Sequence, residues 1–232
     1  MQKMFFELIQ VSLGELDCLD RGPSNEEWGE LYELSRHHGL TSECYQGVVR
    51  LFDFGLRAPQ DLSIDWMAEA ETAEEQPLTL TSEVCNPIRK MLFSRWQDRN
   101  GNSLYDKVGN ERRLTPSAAV VGTIVQAFEQ FNHGTLTLRS VVDCYKALKE
   151  AENGLADFRD GSSVKQMLQT FGLWRFSRAM MWTVAVVTGL DAKKLACPPA
   201  ASTGQFLLQQ VMGGKYPLKT RIKNKIKKFL LF

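Results

Sequence analysis

Arg139 and Asp143 are the pair whose types and spacing come nearest to a ligand site. They stand four residues apart, on one face of a helix that the sequence predicts from a Thr137 cap to about Glu150. A guanidinium is a planar fork that fits phosphate. The same spacing also gives a plain i,i+4 ion pair, which steadies a helix by about 0.2–0.5 kcal/mol. Both readings stay open on the residues alone.

A second set is the run Lys215, Lys219, Arg221, Lys223, Lys225, Lys227 and Lys228, with no acid between Lys215 and Phe232. Leu218, Ile222, Ile226, Phe229 and Leu230 fall on one helical face, and Arg221, Lys223, Lys227 and Lys228 cover much of the rest. Such a basic amphipathic helix can lie on an anionic membrane surface or bind nucleic acid. It can equally dock on the body of its own chain with its ammonium groups in water. The whole chain has a net charge of +1, so a mildly acidic body of net −6 carries a basic tail. That balance argues against nucleic acid covering the whole surface.

Metal-assisted chemistry on a triphosphate needs carboxylates that converge, usually one position apart on a strand after a glycine turn. Four acidic pairs come under consideration: Glu15/Asp17, Asp61/Asp65, Glu69/Glu71 and Asp157/Asp160. Glu15/Asp17 and Glu69/Glu71 have the right spacing, but both are expected on helices, where residues two apart diverge by about 200°. Asp98 to Asn102 resembles the start of a calcium loop, but Ser103 and Gly109 stand where that loop wants Gly and Glu. His37 and His38 diverge by about 100° on a helix and suit its negative end better than a shared metal. Gly213-Gly214-Lys215 lacks the flanking residues of a phosphate loop. No metal site is expected.

The elements that must position these residues read as mainly α, a multi-helix assembly with at most a short β-hairpin or strand pair. The 232 residues are 44% hydrophobic and 24% charged, as in a soluble globular protein. Helices are predicted over about 2–16, broken by Gly22-Pro23; from a Ser24/Glu27 capping box to Gly39; over 42–54; and from Pro59, with Ile64, Met67 and Ala68 on the inner side. Leu78–Thr81 alternates like a short strand, and Asn86-Pro87 opens another helix with Ile88, Met91, Leu92 and Trp96. A hairpin turning at Val108-Gly109-Asn110 follows, then a long helix from Thr115-Pro116 to Phe131. A polar break spans 153–163. A deeply apolar helix covers 174–187, a rigid Cys197-Pro198-Pro199 loop follows, and a short helix spans 204–212. The organisation expected is an N-terminal helical region, 1–76, a C-terminal helical region, 77–214, and the basic tail, 215–232.

Five cysteines, odd in number and without a CxxC pair, fit reduced thiols in the cytoplasm. No secretory leader is convincing, because Glu7 and Gln10 interrupt the apolar start. No stretch has the length of a membrane span.

Several stretches together resemble the uncharacterised bacterial nucleotidyltransferase family of Bacteroides-type genomes. They are Phe5–Leu19 (FFELIQVSLGELDCL) with Glu26–Leu40, then Thr135–Tyr145 (TLTLRSVVDCY), then Phe171–Trp182 (FGLWRFSRAMMW) with Gly189–Pro199 and Gly204–Leu208. Complete members hold an α/β core with a Gly-x-Asp-Ile-Asp-like strand between the first helices and the later ones. Here Gln76-Pro77 leads almost directly to Asn86-Pro87, an omission on the order of 100 residues. A His- and Arg-containing stretch of the family is replaced by Gln126, Glu129 and Gln130. No catalytic residue carries over; Arg139 and Asp143 are what survives.

The resemblance implies a member without its metal-binding core: a catalytically inactive helical binding or interaction protein. It would associate with itself or with a protein partner through apolar faces left uncovered. It also implies a cytoplasmic setting, near surface-polysaccharide synthesis. Two alternatives stand beside it. One is a transferase moving a nucleotide to a small acceptor with carboxylates from a partner chain, which would need Mg and NTP; otherwise no cofactor is expected. The other is an adaptor peripheral to the membrane, or on nucleic acid, using the tail.

Overall fold

The computed structural model describes residues 1–72, 105–108, 111–154 and 162–213. The fold is mainly α. The described residues hold α1 (Gln2–Leu13), α2 (Asn25–His37), α3 (Thr41–Phe52), α4 (Gln60–Thr72), β1 (Tyr105–Val108), β2 (Glu111–Leu114), α5 (Pro116–His133), α6 (Leu138–Gly154), α7 (Ser162–Thr170), α8 (Trp174–Thr188) and α9 (Ala201–Val211). Among the described residues a 3-10 turn, Ala192–Lys194, lies between α8 and α9.

Local chemistry sets most of these boundaries. Gly14, at φ 75, ends α1 and returns its N–H to Val11 O. The helix therefore stops well before Gly22-Pro23, because a left-handed glycine closes it first. Ser24 and Glu27 form the expected reciprocal capping box on α2. The Thr115 hydroxyl accepts from the Ala118 N–H, Pro116 fills the first turn, and Gly134 at φ 73 closes α5. β1 and β2 pair antiparallel, Tyr105 opposite Leu114 and Val108 opposite Glu111, as the short strand pair expected from the sequence requires.

Two readings need correction. Trp66, not Ile64 or Met67, is the buried anchor of α4; its indole N–H donates to Thr41 O at 3.1 Å and its ring lies 5.3 Å from Tyr32. One large aromatic with a polar handle outweighs two aliphatic residues on a neighbouring face. The polar stretch 153–163 is also shorter than expected: α6 runs to Gly154 and α7 starts at Ser162, carrying buried Val164, Met167 and Leu168. The strand at 78–81, the helix from Asn86 and the tail lie outside the described residues.

The helices share one continuous core. α1 is buried on two sides: Phe5, Leu8 and Ile9 are fully enclosed, with α3 against one flank and α8 against the other. The Gln10 amide donates to Val186 O and Val187 O, both at 3.3 Å, and so occupies carbonyls at the end of α8. Phe176 of α8 gathers Phe128 and Phe131 of α5 at 5.1 and 5.7 Å. Two crossings depend on glycine. A Cβ on Gly47 would stand 2.9 Å from Leu8 O of α1, and one on Gly204 would stand 2.5 Å from the Trp182 ring of α8.

Gly47→Ala tests the first crossing with a built-in sign. Helix propensity alone favours alanine by about 1 kcal/mol. The clash is with backbone, which cannot step aside, so a net loss of about 1–3 kcal/mol is expected. Thermal melting should fall by roughly 2–10 °C; an unchanged or raised midpoint would show that α1 and α3 are not in such close contact.

Candidate functional site

α6 sets a row of charged side chains against the N-terminal helices. Positions 139, 143 and 146 recur at helical spacing on one stripe, and 145, 149 and 152 on the next. Arg139 is the hub. Its Nη1 lies 3.1 Å from Glu43 Oε1 and donates to Glu43 Oε2 and Gly39 O, each at 3.3 Å. Its Nε donates to Asp143 Oδ1 at 3.1 Å. Lys146 Nζ reaches the same Glu43 at 2.8 Å. The Glu43 side chain is only 9% exposed, so a carboxylate drawn into the α3–α6 boundary is compensated by two cations.

The seam continues one turn on. Glu15 Oε1 accepts from the Tyr145 hydroxyl at 2.7 Å and pairs with Lys149 at 2.6 Å, while Lys194 pairs with Glu152 at 3.1 Å. Burial pushes the Glu15 carboxyl upward, but hydrogen bonds from Lys149 and Tyr145 outweigh it and hold the group below its ordinary value. At Asp143 the balance is reversed: burial raises the carboxyl, and Arg139 and Lys146 offset only part of that. Burial and the neighbouring Glu15 raise the Tyr145 phenol.

The structure thus brings Arg139 and Asp143 together and adds a partner 96 residues away, Glu43, which no local spacing announces. With its fork facing Glu43, Asp143 and Gly39 O, Arg139 would have to release protein acceptors before gripping a phosphate. The arrangement joins helices.

The other candidates are dispersed. Glu15 and Asp17 follow the end of α1 rather than lying on a helix, because Gly14 has already closed it. Glu69 pairs with Arg36 at 3.0 Å, and Asp61 and Asp65 are exposed on α4. Asp98–Asn102, Asp157, Asp160 and the seven basic residues from Lys215 to Lys228 lie outside the described residues. Among the described residues no three His, Cys, Asp or Glu side chains are grouped to hold a metal. Burial raises the Cys44 thiol and pushes Cys144 and Cys197 up to about 12, far from a reactive thiolate.

His37 is exposed in the last turn of α2, where the helix dipole favours it. His38 is only 2% exposed; its ring lies 5.9 Å from Phe5, and neither ring nitrogen has a hydrogen-bond partner among the described residues. Burial, with a smaller contribution from His37, pushes its pKa down to about 4. Sequence spacing gave no signal for this inward turn, which follows from α2 ending one residue earlier.

The other prominent feature is a groove of about 610 Å³ between α3 and α4. Val49, Phe52, Ile64 and Met67 line it and are 53%, 56%, 53% and 39% exposed. Asp53 and Arg57 also line it, and the Arg57 guanidinium sits 4.4 Å from the Phe52 ring centre. No helix among the described residues is long and apolar enough to cross a membrane. No protein-family model, curated protein or solved structure matches this chain.

Removing the Arg139 fork leaves Glu43 with Lys146 alone, so Arg139→Ala should cost about 2–4 kcal/mol in denaturant unfolding. Arg139→Lys should recover less than half of that, because an ammonium cannot make the forked contacts. Full recovery by lysine would show that charge alone matters.

His38 makes stability depend on acid. Its folded pKa lies below the unfolded 6.5, so the unfolded chain takes up the proton more readily. Its contribution is complete above pH 6.5 and is lost as pH falls towards about 4, by about 3 kcal/mol. His38→Phe should remove that part of the pH dependence of unfolding. Parallel stability curves for the two proteins from neutral pH to pH 4 would contradict it.

Proposed function

We propose that this chain is a helical interaction protein, a relative of the nucleotidyltransferases that works by association rather than by nucleotide transfer. The observation that carries the reading is the α3/α4 groove. Four large apolar side chains with substantial exposure lie together on one concave face, where scattered exposure is the rule for a surface with no partner. The binding of Arg139 and Asp143 in the helix clamp supports the same view, since the residues that survive from the family pattern are occupied by protein. The cysteine pattern and the resemblance favour a cytoplasmic setting.

The occupant we assign is a second copy of the chain. A two-fold contact must be self-complementary: each copy offers the other the same patch. Asp53 and Arg57 supply opposite charges beside the same apolar face, and neither has an ion-pair partner among the described residues. Across a two-fold axis, Asp53 of each copy meets Arg57 of the other while Phe52 and Ile64 close over each other.

Sedimentation analysis over about 1–100 µM should show a reversible monomer–dimer equilibrium. Ile64→Asp should leave a monomer that keeps its helical content by circular dichroism and melts at a temperature independent of protein concentration, because the side chain is exposed. Asp53→Arg should weaken the dimer and the double change Asp53→Arg with Arg57→Asp should restore it. A protein that stays monomeric throughout, or a dimer indifferent to these changes, would sink the assignment. Saturable micromolar binding of Mg-NTP would instead favour the transferase reading.

A further inference from the structure

His38 ends α2 and opens the turn that leads into α3. An imidazole ring carries two nitrogens that want partners, and here both are enclosed without one among the described residues. Phe5 of α1 stacks on the ring at 5.9 Å, and His37 meets it edge-on at 4.9 Å. The charged groups on the surrounding helices are engaged with one another. Lys3 pairs with Glu7 on α1, Arg36 with Glu33 on α2, and Arg139 of α6 with Glu43 of α3 and with Asp143. His37 is the charged neighbour that acts on His38, and it acts by repulsion. The turn itself ties several elements together. Gly39, at φ 67, returns its N–H to Arg36 O, and the Leu40 N–H reaches Ser35 O at 2.8 Å. Gly39 O accepts from Arg139, and Thr41 O accepts from the indole N–H of Trp66. Contacts to α1, α4 and α6 thus converge on residues 38–41.

We propose that residues 38–41 form an acid-operated latch: protonating His38 opens this turn locally and frees α4 from α3. A neutral ring can stay on Phe5, whereas an imidazolium there finds no acceptor and must reach water. The way out is a swing of the turn about Gly39, whose left-handed backbone suits glycine and whose surroundings are open, since a Cβ there would meet nothing within 4 Å. The swing draws Gly39 O away from Arg139 and unsettles Thr41 O, the acceptor of Trp66. Arg139 keeps Glu43 and Asp143, so α6 stays in place. α4 has less to fall back on, because Trp66 is its one buried residue. The direction follows from proton binding. The open turn takes up the proton near the ordinary 6.5 and the closed one only near 4, so acid favours opening, by about 20-fold between pH 7 and pH 5. The latch goes beyond the acid dependence of global stability, because it predicts a partial opening within a folded protein. It does not depend on what occupies the α3/α4 groove.

Hydrogen exchange on the full chain, corrected for the intrinsic pH dependence of each group, tests it. The Leu40 and Cys44 amides and the Trp66 indole N–H should exchange about 20-fold faster at pH 5 than at pH 7. At pH 5 their exchange should be insensitive to low denaturant, the mark of local opening, whereas the Ser177 amide inside α8 should respond to denaturant with the slope of global unfolding. His38→Gln and His38→Phe, one polar and one apolar, should each abolish the acceleration, with circular dichroism at neutral pH identifying the folded variant that is read. His37→Gln should retain it, since the latch is the inner ring and not its neighbour. Acceleration that survives in a folded His38 variant would overturn the proposal. So would no acceleration at these three positions, or exchange there that rises with denaturant in step with Ser177.

Discussion

The close approach of α1 to α3 is the constraint on which the rest depends. It places the Leu8 carbonyl where a side chain at position 47 would need to be, so the crossing exists only because residue 47 is glycine. Contact at that distance lets Phe5, Leu8 and Ile9 be enclosed from both sides by α3 and α8. Burying large side chains on two flanks of one helix is how a chain with little sheet obtains a continuous interior. Gln10 then fixes the rotation of α1, because its amide finds the α8 carbonyls only in one orientation.

Electrostatics add a second layer to that frame. Glu43 and Glu15 are drawn to the boundary with α6 and held by Arg139, Lys146, Lys149 and the Tyr145 hydroxyl. A charge-matched seam of this kind contributes less to net stability than an apolar contact of the same size, but it penalises any slipped register, since a displaced helix would leave a carboxylate without its cation. Arg139 joins three elements at once by also donating to the carbonyl of Gly39 beyond α2. Residues that look ligand-binding in one dimension can thus be structural in three.

Elements with local causes were legible before the fold was known. The Ser24/Glu27 box, the Thr115-Pro116 start and the antiparallel pairing of β1 with β2 all act within a few residues, and each lies where expected. Long-range outcomes were not. Ile64 and Met67 have the hydrophobicity of inner residues, but the rotation of α4 is set by Trp66 reaching Thr41, a choice made by tertiary contact. The modest apolar content of 162–170 hid α7, whose Val164, Met167 and Leu168 gain their role from α5 and α8. Of the charged cluster, the Arg139–Asp143 spacing was visible, whereas Glu43 and the inward turn of His38 depend on chain segments brought together by folding.

The contact between Gln10 and the end of α8 spans about three quarters of the chain. During translation at about 5–20 residues per second, α1 would wait on the order of 10–35 s for the helix that covers its second flank. Until then Phe5 and its neighbours offer an oily strip to the ribosome exit and to chaperones. Nascent-chain length, more than final stability, would then govern how much of this protein escapes aggregation.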